Sequence, residues 1–191
     1  QTSRGLGDVY KRQFKDHSNT IWLGSDRGLF SYDPDLDSII RYPLEIGIIN
    51  SIANGQKNEI WVGSSDGLVR VINGPNGDYK LYRKSNSKSS IVSNYIKDLA
   101  WDQSRNMLWI ATDNGISRYI PSEDKFFNIQ TTPYADSIVE NDISELMVAT
   151  RSGRLWYTTA TEPGINCLSV DFSSESDLSL IHISEPTRRL S

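Results

Sequence analysis

The chain has 191 residues, of which 20 are basic and 24 acidic, so its formal net charge at pH 7 is −4. An acidic chain without a basic stripe is a poor binder of phosphate backbones, and we therefore expect no nucleic-acid partner. The single cysteine, Cys167, excludes an internal disulfide, and no apolar run is long enough to cross a bilayer.

The two ends of the chain are related to each other as an inverted repeat of codons. Suitable codons for residues 7–13 have a reverse complement that encodes residues 178–184, and the relation continues outward to residues 1 and 190. The ends therefore resemble a sequencing-library adaptor translated once in each sense, and such segments are set aside before fold reasoning. We interpret residues 1–13 and 178–191 as adaptor-like and residues 14–177 as the genuine segment of the protein. We expect the ends to pack little against it; the alternative is a natural basic tail and a natural strand.

Setting these ends aside changes the charge and the candidate chemistry. Of the 20 basic and 24 acidic residues, 15 and 22 remain, which gives a net charge of −7. His17 is then the only histidine, because His182 lies in the second adaptor-like end.

A tryptophan recurs in the same short frame along the chain. The frame reads I-W-L-G-S-D-R-G-L from residue 21, I-W-V-G-S-S-D-G-L from residue 60 and L-W-I-A-T-D-N-G-I from residue 108. A degraded fourth copy starts at residue 155, and its glycine comes late, at Gly164. Repeats of 39 to 48 residues built from short strands are typical of β-propeller blades.

Each repeat predicts four short strands. An apolar inner strand precedes a polar turn and the tryptophan strand, in which Trp61 and Gly63 face one side and Ile60 and Val62 the other. A small residue two places after the tryptophan permits close approach of a neighbouring sheet. The next turn carries a glycine, and the dipeptides at 66–67 and 114–115 favour hairpins whose central residues have positive φ. We expect structural roles, in packing between blades or in the turns, for the following repeat residues: Trp22, Gly24, Gly28, Trp61, Gly63, Gly67, Trp109, Ala111, Gly115 and Trp156.

Together these features resemble the two-component regulator propeller repeat. The resemblance rests on the pattern I/L-W-[IVL]-G-[ST]-x-x-G-[LI] and on an inner strand of the type S-x-N-x-I-x-x-[IL]-x-x-D. Asn94, Ile96, Leu99 and Asp102 match the last four named positions of that strand, and Ser93 lies one residue later than its serine position. In that family, seven-bladed propellers of such repeats form the extracytoplasmic part of sensor histidine kinases. Many of these are hybrid regulators with which Bacteroidetes detect polysaccharide breakdown products. The pattern of WD40 repeats and that of sialidase Asp boxes fit less well.

The sequence offers little catalytic chemistry. His17 has no partner cysteine or second histidine, so we interpret it as a solvated loop residue, and Cys167 as a small buried one. The carboxylates of residues 33–37 suggest a Ca²⁺ loop, but the glycine and distal glutamate of an EF-hand are missing. We interpret this segment as a β-turn and expect no metal and no cofactor.

Ligand-binding candidates follow from propeller geometry, because loops between blades and the starts of inner strands crowd around one mouth of the channel. On that basis we predict ligand binding by Asn94, Tyr95, Asn141 and Asp142. Amides beside an aromatic ring suit an oligosaccharide. The alternative, which we favour, is that Asn94 and Asn141 bond turn backbone.

The sequence thus predicts that residues 14–177 are an all-β propeller fragment of three to four four-stranded antiparallel blades. The resemblance implies that the parent propeller has seven blades. The resemblance implies a non-catalytic sensor segment of a homodimeric, periplasmic receptor whose membrane anchor and kinase lie outside these residues. The alternatives are a propeller interaction scaffold and a propeller lyase or glycosidase. If the chain were an enzyme, we would expect a cluster of histidine, glutamate or tyrosine–arginine side chains at the channel. The presence of a single histidine in residues 14–177 argues against the enzyme alternative.

Overall fold

The computed structural model of the protein describes residues 12–74, 77–130, 138, 141–149, 154–161, 164–170 and 180–184. In these ranges the chain forms sixteen β-strands and no α-helix. The strands make four four-stranded antiparallel sheets, each built from strands consecutive in the chain. This confirms the predicted all-β architecture of successive blades.

The strand bounds repeat the same order four times. Blade 1 consists of β1 (Arg12–Lys15), β2 (Ile21–Ser25), β3 (Gly28–Asp33) and β4 (Ser38–Arg41), and blade 2 of β5 (Ile49–Asn54), β6 (Glu59–Ser64), β7 (Gly67–Ile72) and β8 (Tyr79–Tyr82). Blade 3 consists of β9 (Ile96–Asp102), β10 (Met107–Thr112), β11 (Gly115–Ile120) and β12 (Lys125–Ile129), and blade 4 of β13 (Ile143–Ala149), β14 (Arg154–Thr159), β15 (Asn166–Val170) and β16 (Leu180–Ser184).

The repeated tryptophans occupy equivalent places. Trp22, Trp61 and Trp109 lie on the second strands β2, β6 and β10 and are at most 2% exposed. Each packs towards the following blade: Trp22, for example, shares a buried cluster with Ile60 and Val62 of blade 2. Trp61 itself belongs to the cluster between blades 2 and 3, so the predicted opposite orientations within β6 are confirmed.

The small residue after each tryptophan receives the next blade. A β-carbon on Gly24 would lie 2.5 Å from Ile49 Cγ2, and one on Gly63 would lie 2.5 Å from Ile96 Cγ2. At the third interface Ala111 shares a buried cluster with Ile143. The sheets therefore approach each other through the first residue of each inner strand, as the glycine pattern predicted.

A serine or threonine closes the turn between the second and third strands. Ser64 Oγ accepts a hydrogen bond from Asp66 N at 3.1 Å and donates one to Gly67 O at 2.8 Å. Ser25 with Gly28 and Thr112 with Gly115 make the same pair of bonds.

This turn differs from the prediction in one respect. The two turn residues precede the glycine, and positive φ falls on Gly28, Gly67 and Gly115 alone, at 113°, 126° and 118°. The side-chain bond of the serine or threonine holds the two turn residues at negative φ, so only the glycine needs the unusual conformation.

Blade 4 departs from the repeat, as its degraded motif predicted. Trp156 lies on β14 but is only partly buried, and six residues instead of two separate β14 from β15. Cys167 on β15 is fully buried.

The adaptor-like ends contribute strand residues at two places. Arg12 and Gln13 pair with β2, and β16, which lies within residues 178–191, pairs antiparallel with β15. The expectation of little packing was therefore wrong for these residues. The alternating β-branched residues of the segment from Leu180 to Ser184 suit an edge strand whatever their origin.

Candidate functional site

The inner strands β1, β5, β9 and β13 lie side by side and define two mouths of the propeller channel. We call one the start mouth: it comprises residues 47–51, 94–98 and 141–145, where chain segments from one blade lead into the inner strand of the next. The other, the turn mouth, comprises residues 14–17, 52–57 and 99–106, around the turns between first and second strands.

A β-bulge marks the beginning of the inner strand in blades 2, 3 and 4. The register with the second strand shifts at Asn50, at Lys97 and at Ser144. A bulge leaves its residue out of the ladder and re-aims the side chain. The start mouth is therefore built by the same irregularity three times, which the sequence motif did not reveal.

The predicted ligand residues lie directly before these bulges. Asn94 Oδ1 accepts a hydrogen bond from Lys84 N at 2.6 Å, and the Asn94 carbonyl accepts Gly67 N at 2.8 Å. The Asn141 carbonyl accepts Gly115 N at 2.6 Å. Asn94 thus uses its amide oxygen to bond loop backbone.

Tyr95 and Asp142 have different surroundings. The Tyr95 side chain is 42% exposed. Asp142 forms an ion pair with Lys97 of the neighbouring inner strand. The structure thus gathers these four residues into two equivalent positions at one mouth, and a ligand role for them stays a prediction.

Hydrogen bonds connect the inner strands across the start mouth. Asp98 accepts Ser51 Oγ at 2.8 Å through one carboxylate oxygen and Leu146 N at 2.9 Å through the other. Asn50 Nδ2 donates to Ile96 O at 2.8 Å. Several polar side chains of this mouth therefore form hydrogen bonds that connect blades 2, 3 and 4.

The turn mouth contains a cavity of about 780 Å³, within the usual range for small-molecule sites. Its wall combines aromatic rings with amide side chains, and residues from three blades contribute. The lining residues include Phe14, His17, Asn54, Gln56, Lys57, Leu99, Trp101, Gln103 and Asn106. No aspartate or glutamate belongs to this described lining.

Two features of the cavity wall matter for binding. Asn54 Oδ1 is buried without a hydrogen-bond partner among the described residues. Gln56 Nε2 donates to Asn106 Oδ1 at 3.1 Å, which connects the turns of blades 2 and 3. The sequence indicated these amides only as turn residues; amide side chains occur in the turns of both blade 2 and blade 3, and that was the one signal pointing to them.

A hydrogen-bonded network of ionisable side chains lies away from both mouths, on the outer strands. Tyr119 donates a hydrogen bond to Asp124 at 2.7 Å, and Lys80 forms an ion pair with the same carboxylate at 2.7 Å. The bond from Lys80 lowers the pKa of Asp124, and burial raises the pKa of Tyr119 above its ordinary value of 10.0. This cluster joins blades 2 and 3 and has the character of a structural contact.

The remaining sequence candidates have structural surroundings. His17 is an exposed turn residue at the rim of the cavity. Asp33 Oδ1 accepts the amides of Asp35 and Leu36, and Asp37 has φ of 46°, so residues 33–37 form the predicted turn. Among the described residues, no three metal-ligating side chains cluster. No helix in the described ranges has the length and hydropathy for a membrane span.

Comparisons with known proteins show the fold. No family model and no curated protein matches the chain. The extracellular domain of the hybrid two-component system BT4673 from B. thetaiotaomicron matches it with a TM-score of 0.69 and 22% identity, over 100% of this chain and 24% of that one. The corresponding domain of BT3049 from the same organism gives 0.69 and 19%, over 94% and 23%.

Virginiamycin B lyase from Staphylococcus aureus also matches, with a TM-score of 0.64 and 16% identity, over 97% of this chain and 58% of the lyase. The chain spans about a quarter of the length of the two sensor domains. At these identities the shared property is the fold, which hosts both sensing and catalysis. The chain is therefore a run of four β-propeller blades. It has the fold of the extracellular domains of these B. thetaiotaomicron hybrid two-component systems, in agreement with the resemblance of its repeat to the two-component regulator propeller.

Proposed function

We propose that the chain is a segment of the extracytoplasmic propeller of a membrane-bound hybrid two-component histidine kinase. The proposal is supported by two independent observations: the repeat motif resembles this family, and the fold matches extracellular domains of two such systems. In this proposal the segment senses a ligand or transmits dimer geometry, and it does not catalyse a reaction. The parent receptor is a homodimer with its anchor and kinase outside these residues.

The ligand in this proposal is an oligosaccharide released from a polysaccharide. Such a ligand reaches the receptor outside the cytoplasmic membrane, so in this proposal the propeller lies in the periplasm. The agreement between the motif in the sequence and the blades in the structure is the observation that carries the assignment.

The enzyme alternative receives less support from the geometry. Glycosidases require two carboxylic acids flanking the bond that is cleaved. The described lining of the turn-mouth cavity contains no carboxylate, and Asp98 and Asp142 at the start mouth are engaged with neighbouring strands. A propeller lyase shares the fold, but the described lining of the cavity contains His17 without a carboxylate.

The reading frame around the gene segment tests this proposal. A longer DNA sequence should show one open reading frame that continues through further blades to a membrane-spanning helix and a histidine kinase core. A stop codon soon after the blades that close the ring would instead support the interaction scaffold.

A further inference from the structure

The wall of the turn-mouth cavity has the composition of a carbohydrate site. Trp101 and Phe14 supply partly buried aromatic rings, and Gln56, Gln103 and Asn106 supply amides at the rim. An amide offers both a donor and an acceptor, which matches the paired character of sugar hydroxyl groups. An aromatic ring offers an apolar surface to the C–H face of a pyranose.

Burial adds a second, independent observation. Asn54 reaches the cavity from β5, and its Oδ1 lacks a partner among the described residues although it is shielded from solvent. A buried acceptor without a hydrogen bond is costly, and a ligand that donates to it removes the cost. The cavity thus contains an acceptor that a bound hydroxyl group would satisfy.

The start mouth is less suited to this chemistry. Asn94 already accepts a backbone bond there, and Lys97 neutralises Asp142. Of the four predicted residues only Tyr95 carries an aromatic ring, and it is 42% exposed. The wall that combines amides with two aromatic rings, Trp101 and Phe14, lies at the opposite mouth.

We propose that the cavity at the turn mouth binds an oligosaccharide, with Trp101 as the stacking surface and Gln56, Gln103 and Asn54 as hydrogen-bonding groups. This inference rests on the proposed sensing function and places its ligand at the end of the channel opposite to the one that the sequence indicates. Lys57 and His17 at the rim, with no carboxylate in the described lining, also admit a uronic acid unit.

Binding of defined trisaccharides to the full chain tests this placement. The probes are neutral trisaccharides of glucose, xylose, mannose and galactose, together with trigalacturonic acid, and binding is followed by saturation-transfer NMR and by tryptophan fluorescence. We expect at least one probe to bind. The double substitution Gln56→Ala/Gln103→Ala should weaken its binding roughly tenfold, since two hydrogen bonds are lost. Trp101→Phe should weaken binding and reduce the fluorescence change.

Gln130→Ala, which removes an exposed glutamine on another surface, is the matched control and should not change binding. Tyr95→Ala removes the exposed ring of the start mouth and tests that mouth as the alternative location. Because Gln56 and Gln103 are exposed turn residues, their variants should keep the near-UV circular dichroism of the parent. A complete lack of binding by the folded chain would overturn the cavity as a sugar site. Loss of binding in Tyr95→Ala alone would overturn only its location, and neither result bears on the reading-frame test of the receptor assignment.

Discussion

At the scale of single residues, the contact between Gly63 and Ile96 shows how closely two blades approach. A β-carbon at Gly63 would lie 2.5 Å from Ile96 Cγ2 and 3.1 Å from Ile96 Cβ. Isoleucine is branched at Cβ and cannot turn away easily. Gly63→Ala should therefore lower the free energy of unfolding by about 1–3 kcal/mol, as overpacked cores do, measured as a shift of the urea midpoint.

The third interface supplies the control for this substitution. Ala111 occupies the equivalent place opposite Ile143, so an alanine is tolerated where the neighbouring blade has adjusted to it. Ala111→Gly should cost only about 0.5–1 kcal/mol, chiefly through backbone entropy. Equal stability of Gly63→Ala and the parent chain would contradict the close approach of blades 2 and 3.

Two buried tyrosines make stability depend on pH in the alkaline range. Burial raises the pKa of Tyr42 and of Tyr119 above the ordinary value of 10.0, and the hydrogen bonds of Tyr119 to Tyr82 and Asp124 raise it further. Above about pH 10 the unfolded chain loses these phenolic protons while the folded chain retains them, so the free energy of unfolding falls as the pH rises.

Urea unfolding at several pH values between about 8 and 11 measures this dependence. The slope above about pH 10 should be shallower in Tyr42→Phe and in Tyr119→Phe, because each removes one of the two groups. Identical slopes in these two variants and in the parent chain would show that neither buried phenol controls the alkaline transition.

At the scale of residues, the sequence predicted the packing residues but not the hydrogen-bond partners of the polar ones. Trp61 and Gly63 were predicted correctly because a repeat imposes one environment several times, and the residue types reveal it. Asn94 and Gln103 are both polar residues of connecting segments, yet Asn94 bonds the backbone at Lys84 while Gln103 lines a cavity. The partner of an amide depends on distant chain segments, which local sequence does not specify.

At the scale of the strands, Asp98 joins three inner strands. Its two oxygens accept Ser51 Oγ of β5 and Leu146 N of β13. Asp98→Ala removes both bonds and leaves the partly buried Leu146 N and the Ser51 hydroxyl without this acceptor, so we expect a loss of about 2–4 kcal/mol in the free energy of unfolding. Thermal or urea unfolding measures it.

Blade 4 provides the matched control, because Glu145 holds the position equivalent to Asp98 on β13. The Glu145 side chain is exposed, on the face that no further described blade covers. Glu145→Ala should change stability by less than about 0.5 kcal/mol, as surface substitutions do. A comparable loss in both variants would show that the carboxylate acts through its own strand and not between blades.

The strands themselves follow from the sequence more completely than their irregularities. The repeat predicted four short strands in each blade, and the structure has all four, for example β8 at Tyr79–Tyr82 as the fourth strand of blade 2. The bulges at Asn50, Lys97 and Ser144 were not predicted. A bulge arises from the fit of one strand to its neighbours, and any of these three residue types is equally acceptable in a regular strand.

At the scale of the whole molecule, the four described blades leave two faces without a neighbour. On blade 4 the apolar residues Met147 and Ile165 are 61% and 58% exposed, and Trp156 is only partly buried, whereas the three equivalent tryptophans are covered by a following blade. On blade 1, Ile21 and Leu23 are equivalent to Ile60 and Val62 of blade 2, which pack on the preceding blade. No described blade precedes blade 1, and Ile21 and Leu23 are partly exposed. Leu29 on β3 packs with Trp22 and is fully buried.

These two open faces are complementary to each other. Inside the chain, the tryptophan of one blade packs on the residues that flank the tryptophan of the next, such as Ile60 and Val62 in blade 2. Blade 4 of one copy therefore presents the surface that fits blade 1 of another. Such a contact is head-to-tail, and it closes a ring or grows as a filament. At roughly 25 cal/mol per Å², an interface of several hundred Å² contributes on the order of 10 kcal/mol.

We therefore expect the chain to associate in solution, as dimers or larger species whose mass rises with concentration. Met147→Glu places a charge at the centre of the exposed face of blade 4 and should shift the population towards monomer, which sedimentation velocity and light scattering measure. Leu36→Glu is the matched control, because Leu36 is 75% exposed in the turn between β3 and β4 and lies outside the blade faces. A monodisperse monomer at all concentrations would show that the open faces are stable in water and that head-to-tail complementarity does not drive assembly. An equal effect of both charges would show that association uses another surface.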